Sequence, residues 1–223
     1  MSDLPLQIVR EFFELHLFHV LTPWQCLEVT DIPAETREWL FVQNTRPLRR
    51  KTTQFHLHPE NVEGITRALV EVRIWNTEMY PSVIEANPSL GKITSASILA
   101  LATEVFDTTD FATILIISEL PLSYHARERS LQLLQGFKIG HVMEFGAILR
   151  DIIQRLDTNL NYSPSITLQT IRYLKRFRCL SEPQLEFSLP FEPPLYPMLP
   201  GEAEKSLEGE SEAESHVEEG LEE

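Results

Sequence analysis

His56-Leu57-His58 is the one short run in the chain with metal-ligand spacing. In an extended segment, side chains two residues apart fall on the same side, so both imidazoles would face one ion, with Glu60 as a nearby carboxylate. No further donor completes a ligand set, and the run leads straight into Pro59. The expectation is a loop or strand edge entering a helix, with no metal and no cofactor. Other signatures of chemistry are missing: there is no Gly-rich phosphate loop, GxSxG elbow, HExxH or paired CxxC. Eight glycines in 223 residues serve nucleotide cradles poorly. With no nucleophile, base and metal set that spacing supports, the chain reads as non-catalytic.

Binding chemistry is better represented. Pro193-Pro194-Leu195-Tyr196 has the form PPxY. Two prolines preset an extended left-handed helix, so little entropy is lost on docking into an aromatic groove, and Tyr196 supplies a flat anchor. WW domains read this pattern; a Pro-rich linker with an incidental tyrosine has the same composition. Arg46, Arg49, Arg50 and Lys51 form a basic cluster that reads as a solvated loop, with an anion or an acidic segment as the alternative partner. Arg172, Lys175, Arg176 and Arg178 read as the wet side of a helix. Ser211 and Ser215, each with Glu three positions on, fit an acid-directed kinase pattern that Glu-rich tails generate by chance.

The formal net charge is −14, and nine of those charges come from Gly201 to Glu223, which holds ten Glu and one Lys. The rest is only mildly acidic, so nucleic acid is not expected as a partner. Cys26 and Cys179 stand far apart in apolar surroundings and are expected to be reduced and buried, which places the chain in the cytoplasm, the nucleus or both. The apolar N-terminus carries Asp3, Arg10, Glu11 and Glu14, unlike a signal peptide, and no uncharged apolar run reaches the ~18 residues of a membrane span.

The elements that must position these groups read as mainly α. Leu4 to Leu21 has Ile8, Val9, Phe12 and Phe13 at helical spacing, with Asp3 as cap and Pro5 in the first turn. Ala34 to Val42 fits a helix anchored by Trp39. Pro59 to Trp75 carries Val62, Ile65, Leu69 and Val72 along one face, and Thr94 to Phe106 is similarly amphipathic. Asp110 to Leu120 suits a helix, although Ile114 to Ile117 is also β-branched enough for a buried strand. Ala126 to Gln135 and His141 to Leu156 read as a helical pair, and Ser163 and Pro164 start a last helix. The domain boundaries that follow are 1–43 for an N-terminal module, 44–58 for a basic linker, 59–180 for a helical body, and 181–223 for a Pro-rich, then acidic, disordered tail.

The N-terminal module carries a resemblance. Leu4-Pro5-Leu6-Gln7-Ile8-Val9, then Phe12, then Leu21-Thr22-Pro23-Trp24-Gln25-Cys26-Leu27, resembles a diverged F-box of the kind common in filamentous-fungal proteins. The resemblance implies a trihelical module that docks on a Skp-type adaptor of a cullin ubiquitin ligase. Carried over position by position, it puts Leu4, Pro5, Ile8, Val9, Phe12, Leu21, Pro23, Trp24 and Leu27 on the adaptor-facing surface or its support. The chain departs from the pattern at Asp31-Ile32-Pro33, where Pro33 cuts the second helix short. The functional expectation is a non-catalytic interaction module of F-box type, carrying an unknown target protein, with a helical scaffold lacking any ubiquitin role as the alternative.

Overall fold

The structure, a computed structural model, describes residues 4–26, 39–46, 52–75 and 77–180. The chain divides after Leu180, and the fold is that of the unit Met1–Leu180. Its centre is a five-stranded mixed sheet of β1 (Phe18–Leu21), β2 (Trp39–Asn44), β3 (Arg67–Arg73), β4 (Ala112–Ile117) and β5 (His141–Glu144), ordered as in the sequence. The pairs β1–β2 and β2–β3 are antiparallel, while β3–β4 and β4–β5 are parallel. The mainly α expectation, with its trihelical N-terminal module, is thus overturned: β1 and β2 come from the first 44 residues and belong to the same sheet as the rest.

Parallel strands need crossovers, and the chain supplies helices for them. A short α2 (Pro23–Cys26) follows β1; between β3 and β4 run α3 (Pro81–Glu85), a 3-10 turn at Pro88–Thr94 and α4 (Ala96–Phe106), and between β4 and β5 runs α5 (Tyr124–Gly136). These pack on one face, burying Ile84, Leu90, Ile93, Ala102 and Leu134 against Trp39, Phe41, Leu69, Leu115 and Ile117. On the other face lie α1 (Leu4–Leu15), α6 (Phe145–Arg155) and α7 (Ile166–Arg176), whose Val9, Phe12, Phe13, Ile148, Ile152 and Leu168 meet Leu40, Val42, Val70, Ile114 and Ile116. The result is three layers with a core on each side of the sheet. Among the described residues, no helix is long and apolar enough to cross a membrane.

Burial on both faces explains where helical periodicity misleads. A strand covered on two sides has no polar face, so its run of apolar residues also satisfies a helical template. Ile114 to Ile117 is such a run, and it is β4. Trp39 to Val42, expected in a helix, is β2, with successive side chains entering opposite cores. Pro59 to Trp75 divides into a 3-10 turn at Pro59–Gly64 and β3. His141–Glu144 is a strand that leads directly into α6, and α7 is capped by Ser165, two residues later than expected. The expected helices over 94–106 and 126–135 are present as α4 and α5.

The N-terminal helix ends at Leu15 rather than Leu21 because Leu17 turns left-handed, with φ 63°. Its carbonyl accepts from Thr45 N–H at 3.1 Å and from Thr45 Oγ1 at 2.7 Å, which fixes the start of β1. A further tie closes the helical layer: the buried Glu11 Oε1 accepts from Gln7 Nε2 at 2.8 Å and from the Ser165 hydroxyl, while Ser165 Oγ in turn accepts from Leu168 N–H at 3.0 Å. One carboxylate oxygen thereby joins α1 to the N-terminus of α7.

Candidate functional site at the carboxyl ends of the parallel strands

In open α/β sheets the carboxyl ends of the parallel strands are where side chains gather without a helix covering them. Here that edge is charged. Arg73, Ile117 and Glu144 stand in register across β3, β4 and β5, so Arg73 and Glu144 share one level, two strand spacings or about 10 Å apart. Behind Arg73, two residues along the same strand face, Glu71 is fully buried. Arg73 Nε and Nη2 both donate to Glu71 Oε1 at 2.8 Å. A fully buried carboxylate on a central strand is costly unless paired, and this pairing aims a guanidinium at the open edge.

Glu144 gathers a second set of partners. Oε1 accepts from Arg127 Nη2 of α5 at 2.6 Å and lies 3.1 Å from His56 Nε2, while Oε2 accepts from Leu120 N–H at 2.9 Å. Burial opposes its ionisation, but His56, the Leu120 amide and Arg127 outweigh that and hold the carboxyl down to about 2. His56 arrives from an extended segment that bridges to β5, with Leu57 N–H on Val142 O at 2.8 Å and Val142 N–H on Phe55 O at 2.7 Å. The exits of β3 and β4 are bound together by Ser118, whose Oγ accepts from Trp75 N–H at 2.6 Å and donates to Trp75 O at 2.7 Å. Glu119 follows, and its Oε1 would lie 2.8 Å from a Cβ placed on Gly146, so the bare first turn of α6 gives that carboxylate its room.

The expected site residues separate. Ile8, Val9, Phe12 and Pro23 are buried core, and Pro5 is half-buried. Leu4, Leu21 and Trp24 are exposed, Trp24 by 66%. Leu27, Pro193, Pro194 and Tyr196 lie outside the described residues, as do Arg49, Arg50 and Lys51. His56 and His58 come together, ring centroids 4.8 Å apart, but His56 is joined to Glu144 and not to Glu60. Among the described residues no three His, Cys, Asp or Glu side chains gather as a metal-ion site. The last basic face is only partly wet: Lys175 donates to the carbonyls of Ile153, Gln154 and Leu156 at the end of α6, and Arg172 Nε donates to Thr158 O at 3.0 Å. Cys179 is exposed and Cys26 only half-buried, with burial raising the Cys26 thiol, so the thiols are not both core as expected.

Glu71, Arg73, Arg127 and Glu144 escaped the sequence reading. The signal for the first two is the interruption of an apolar run, Ala68-Leu69-Val70-Glu71-Val72-Arg73-Ile74, by a carboxylate and a guanidinium two residues apart. In a helix those two point apart, whereas in a strand they share a face. Neither family models, nor curated proteins, nor solved structures contain a match to this chain.

Proposed function

We propose that the carboxyl-end edge of β3 to β5 is a site for a phosphate ester, with Arg73 and Arg127 as the cations that read it. The observation that carries this reading is the buried Glu71 holding Arg73 at the open edge, level with the Glu144–Arg127 pair. A guanidinium carries five N–H donors, so Arg73 can keep Nε and Nη2 on Glu71 while its far end exchanges its contacts for a phosphate oxygen, and side chains already held by carboxylates lose little entropy on binding.

The test uses the full chain with a simple phosphodiester, bis-p-nitrophenyl phosphate, followed by calorimetry. Arg73→Lys keeps a positive charge beside Glu71 but loses the fork, and Arg127→Ala leaves that pair intact. Weaker binding in both variants, each still folded by circular dichroism at the assay temperature, supports the site. No heat of binding in the wild-type chain overturns it.

A second reading, a non-catalytic interaction protein whose N-terminal segment meets a Skp-type adaptor without a trihelical module, is favoured by the exposure of Leu4, Leu21 and Trp24, which are 50%, 41% and 66% accessible. Buried aromatic anchors are enriched among residues that dominate interfaces, and a free Trp is such an anchor without a partner. Its test is co-purification with the adaptor, expected to be lost on Trp24→Ala. Failure of the wild-type chain to capture the adaptor removes this reading.

A further inference from the structure

Four described residues other than glycine have positive φ: Leu17 at 63°, Asp107 at 51°, Lys138 at 59° and Arg178 at 57°. Each closes the end of a helix, a position where glycine or asparagine is usual. Asp107, Lys138 and Arg178 are polar and exposed, as such a position favours. Leu17 is different: it is an apolar side chain, 53% exposed, held in a strained backbone conformation. Neither the backbone nor the solvent accounts for a leucine there.

Leu17 stands at the head of β1, the edge strand of the sheet. Thr45 N–H bonds to Leu17 O, while Leu17 N–H closes on Glu14 O at 3.0 Å; antiparallel bonding alternates, so His19 and Leu21 direct their backbone groups to β2. Phe18 and Val20 therefore present N–H and C=O outward. Their side chains are buried against α1, whereas His19 and Leu21 are exposed. An edge with two outward donor–acceptor sets is a template for one more strand.

We propose that this strand is β1 of a second copy, paired antiparallel about a two-fold axis at His19. The register is self-complementary. Phe18 of one copy and Val20 of the other exchange both backbone hydrogen bonds, twice over, giving four bonds across the axis. His19 faces its own counterpart in the intervening non-hydrogen-bonded pair. Leu17, which turns left-handed just before the strand, adjoins the exposed Leu21 of the other copy on each side. Phe18 beside Val20 of the second copy extends the buried face beneath α1. A pairing of this kind is isologous, each residue meeting its match in reverse, and it gives a use to the strained leucine.

The experiment is sedimentation equilibrium of the full chain and of two charge variants. His19→Asp and His19→Lys each place like charges directly opposite one another, and each should weaken self-association about fivefold or more. Mixed in equal amounts, the two should associate at least as well as wild type, which a folding defect would not produce. Leu17→Gly should also weaken association without lowering the melting temperature of the monomer. A wild-type chain that stays monomeric up to its solubility limit overturns the proposal. So does a self-associating chain indifferent to His19→Asp, which assigns the contact to another surface.

Discussion

Arg73 on β3 and Glu144 on β5 occupy one level of the sheet, separated by Ile117, and each is held by a partner of opposite charge from behind or beside it. The two pairs are not equivalent. Glu71 is buried and Arg73 reaches outward from it, whereas Glu144 is itself at the edge and draws Arg127 and His56 towards it.

Glu144 carries an expected pH dependence. Its folded carboxyl titrates near 2 instead of 4.5, because His56, the Leu120 amide and Arg127 outweigh the opposing effect of burial. A depressed carboxyl contributes its full stability above the unfolded value, loses it as pH falls, and contributes nothing below the folded value. Asp151, which burial opposes but His16 and Arg155 hold low, acts in the same direction. Glu144→Gln should lower stability at pH 7 by about 2 kcal/mol, allowing for solvent screening, and flatten the loss between pH 4.5 and 2. Urea unfolding across that range measures both; an acid limb unchanged in the variant contradicts the assignment.

Ser165→Ala removes two interactions at once, the N-cap of α7 and the hydroxyl donated to Glu11. A lost cap costs about 1 kcal/mol, and a buried carboxylate left short of a donor adds to it, so the expected loss is about 2 kcal/mol by denaturant unfolding. Ser165→Asp retains the cap but sets a carboxylate against Glu11, and should be worse than alanine.

Leu17→Gly should leave the monomer as stable or up to about 1 kcal/mol more stable, since glycine adopts a left-handed backbone without the penalty leucine bears. Leu17→Val should destabilise it, because branching at Cβ deepens the clash. Thermal unfolding at low protein concentration separates these effects from association.

Two glycines give opposite expectations. A Cβ on Gly140 would sit 3.0 Å from Thr113 O and 3.3 Å from Thr113 N, both backbone atoms of β4. Gly140→Ala should therefore cost about 1–3 kcal/mol by pushing β4 from the start of β5. A Cβ on Gly146 is even closer, 2.8 Å, but to the end of the Glu119 side chain, which can swing away. Gly146→Ala should leave stability within about 0.5 kcal/mol while displacing Glu119, and crystal structures of the two variants would show which neighbour moved.

The helices that face water on one side were legible from the sequence, and those are α4, α5 and the core-facing residues of α1. Ile8, Val9, Phe12 and Phe13 were identified as an apolar stripe and are buried. The strands were hidden by their burial. Trp39 to Val42 and Ile114 to Ile117 lack the alternation that marks a half-exposed strand, because α1, α6 and α7 cover one side and α3, α4 and α5 the other. The site was hidden for a related reason: Glu71 and Arg73 share a face only if the segment is extended, and Glu144 meets His56 and Arg127 only once three separate segments have assembled. His56 was singled out for its spacing from His58, yet its partner lies 88 positions along the chain.

The bridge between His56 and Val142 has a consequence at the other side of the molecule. It takes the outward N–H and C=O of Val142 on β5 with an extended stretch of chain that Pro59 then diverts, so that margin is partly covered. Among the described residues the two margins therefore differ: β5 is bridged at Val142, and β1 ends the strand order. Two molecules joined through β1, as proposed above, would each spend that edge on the other, so the pairing would close at two copies.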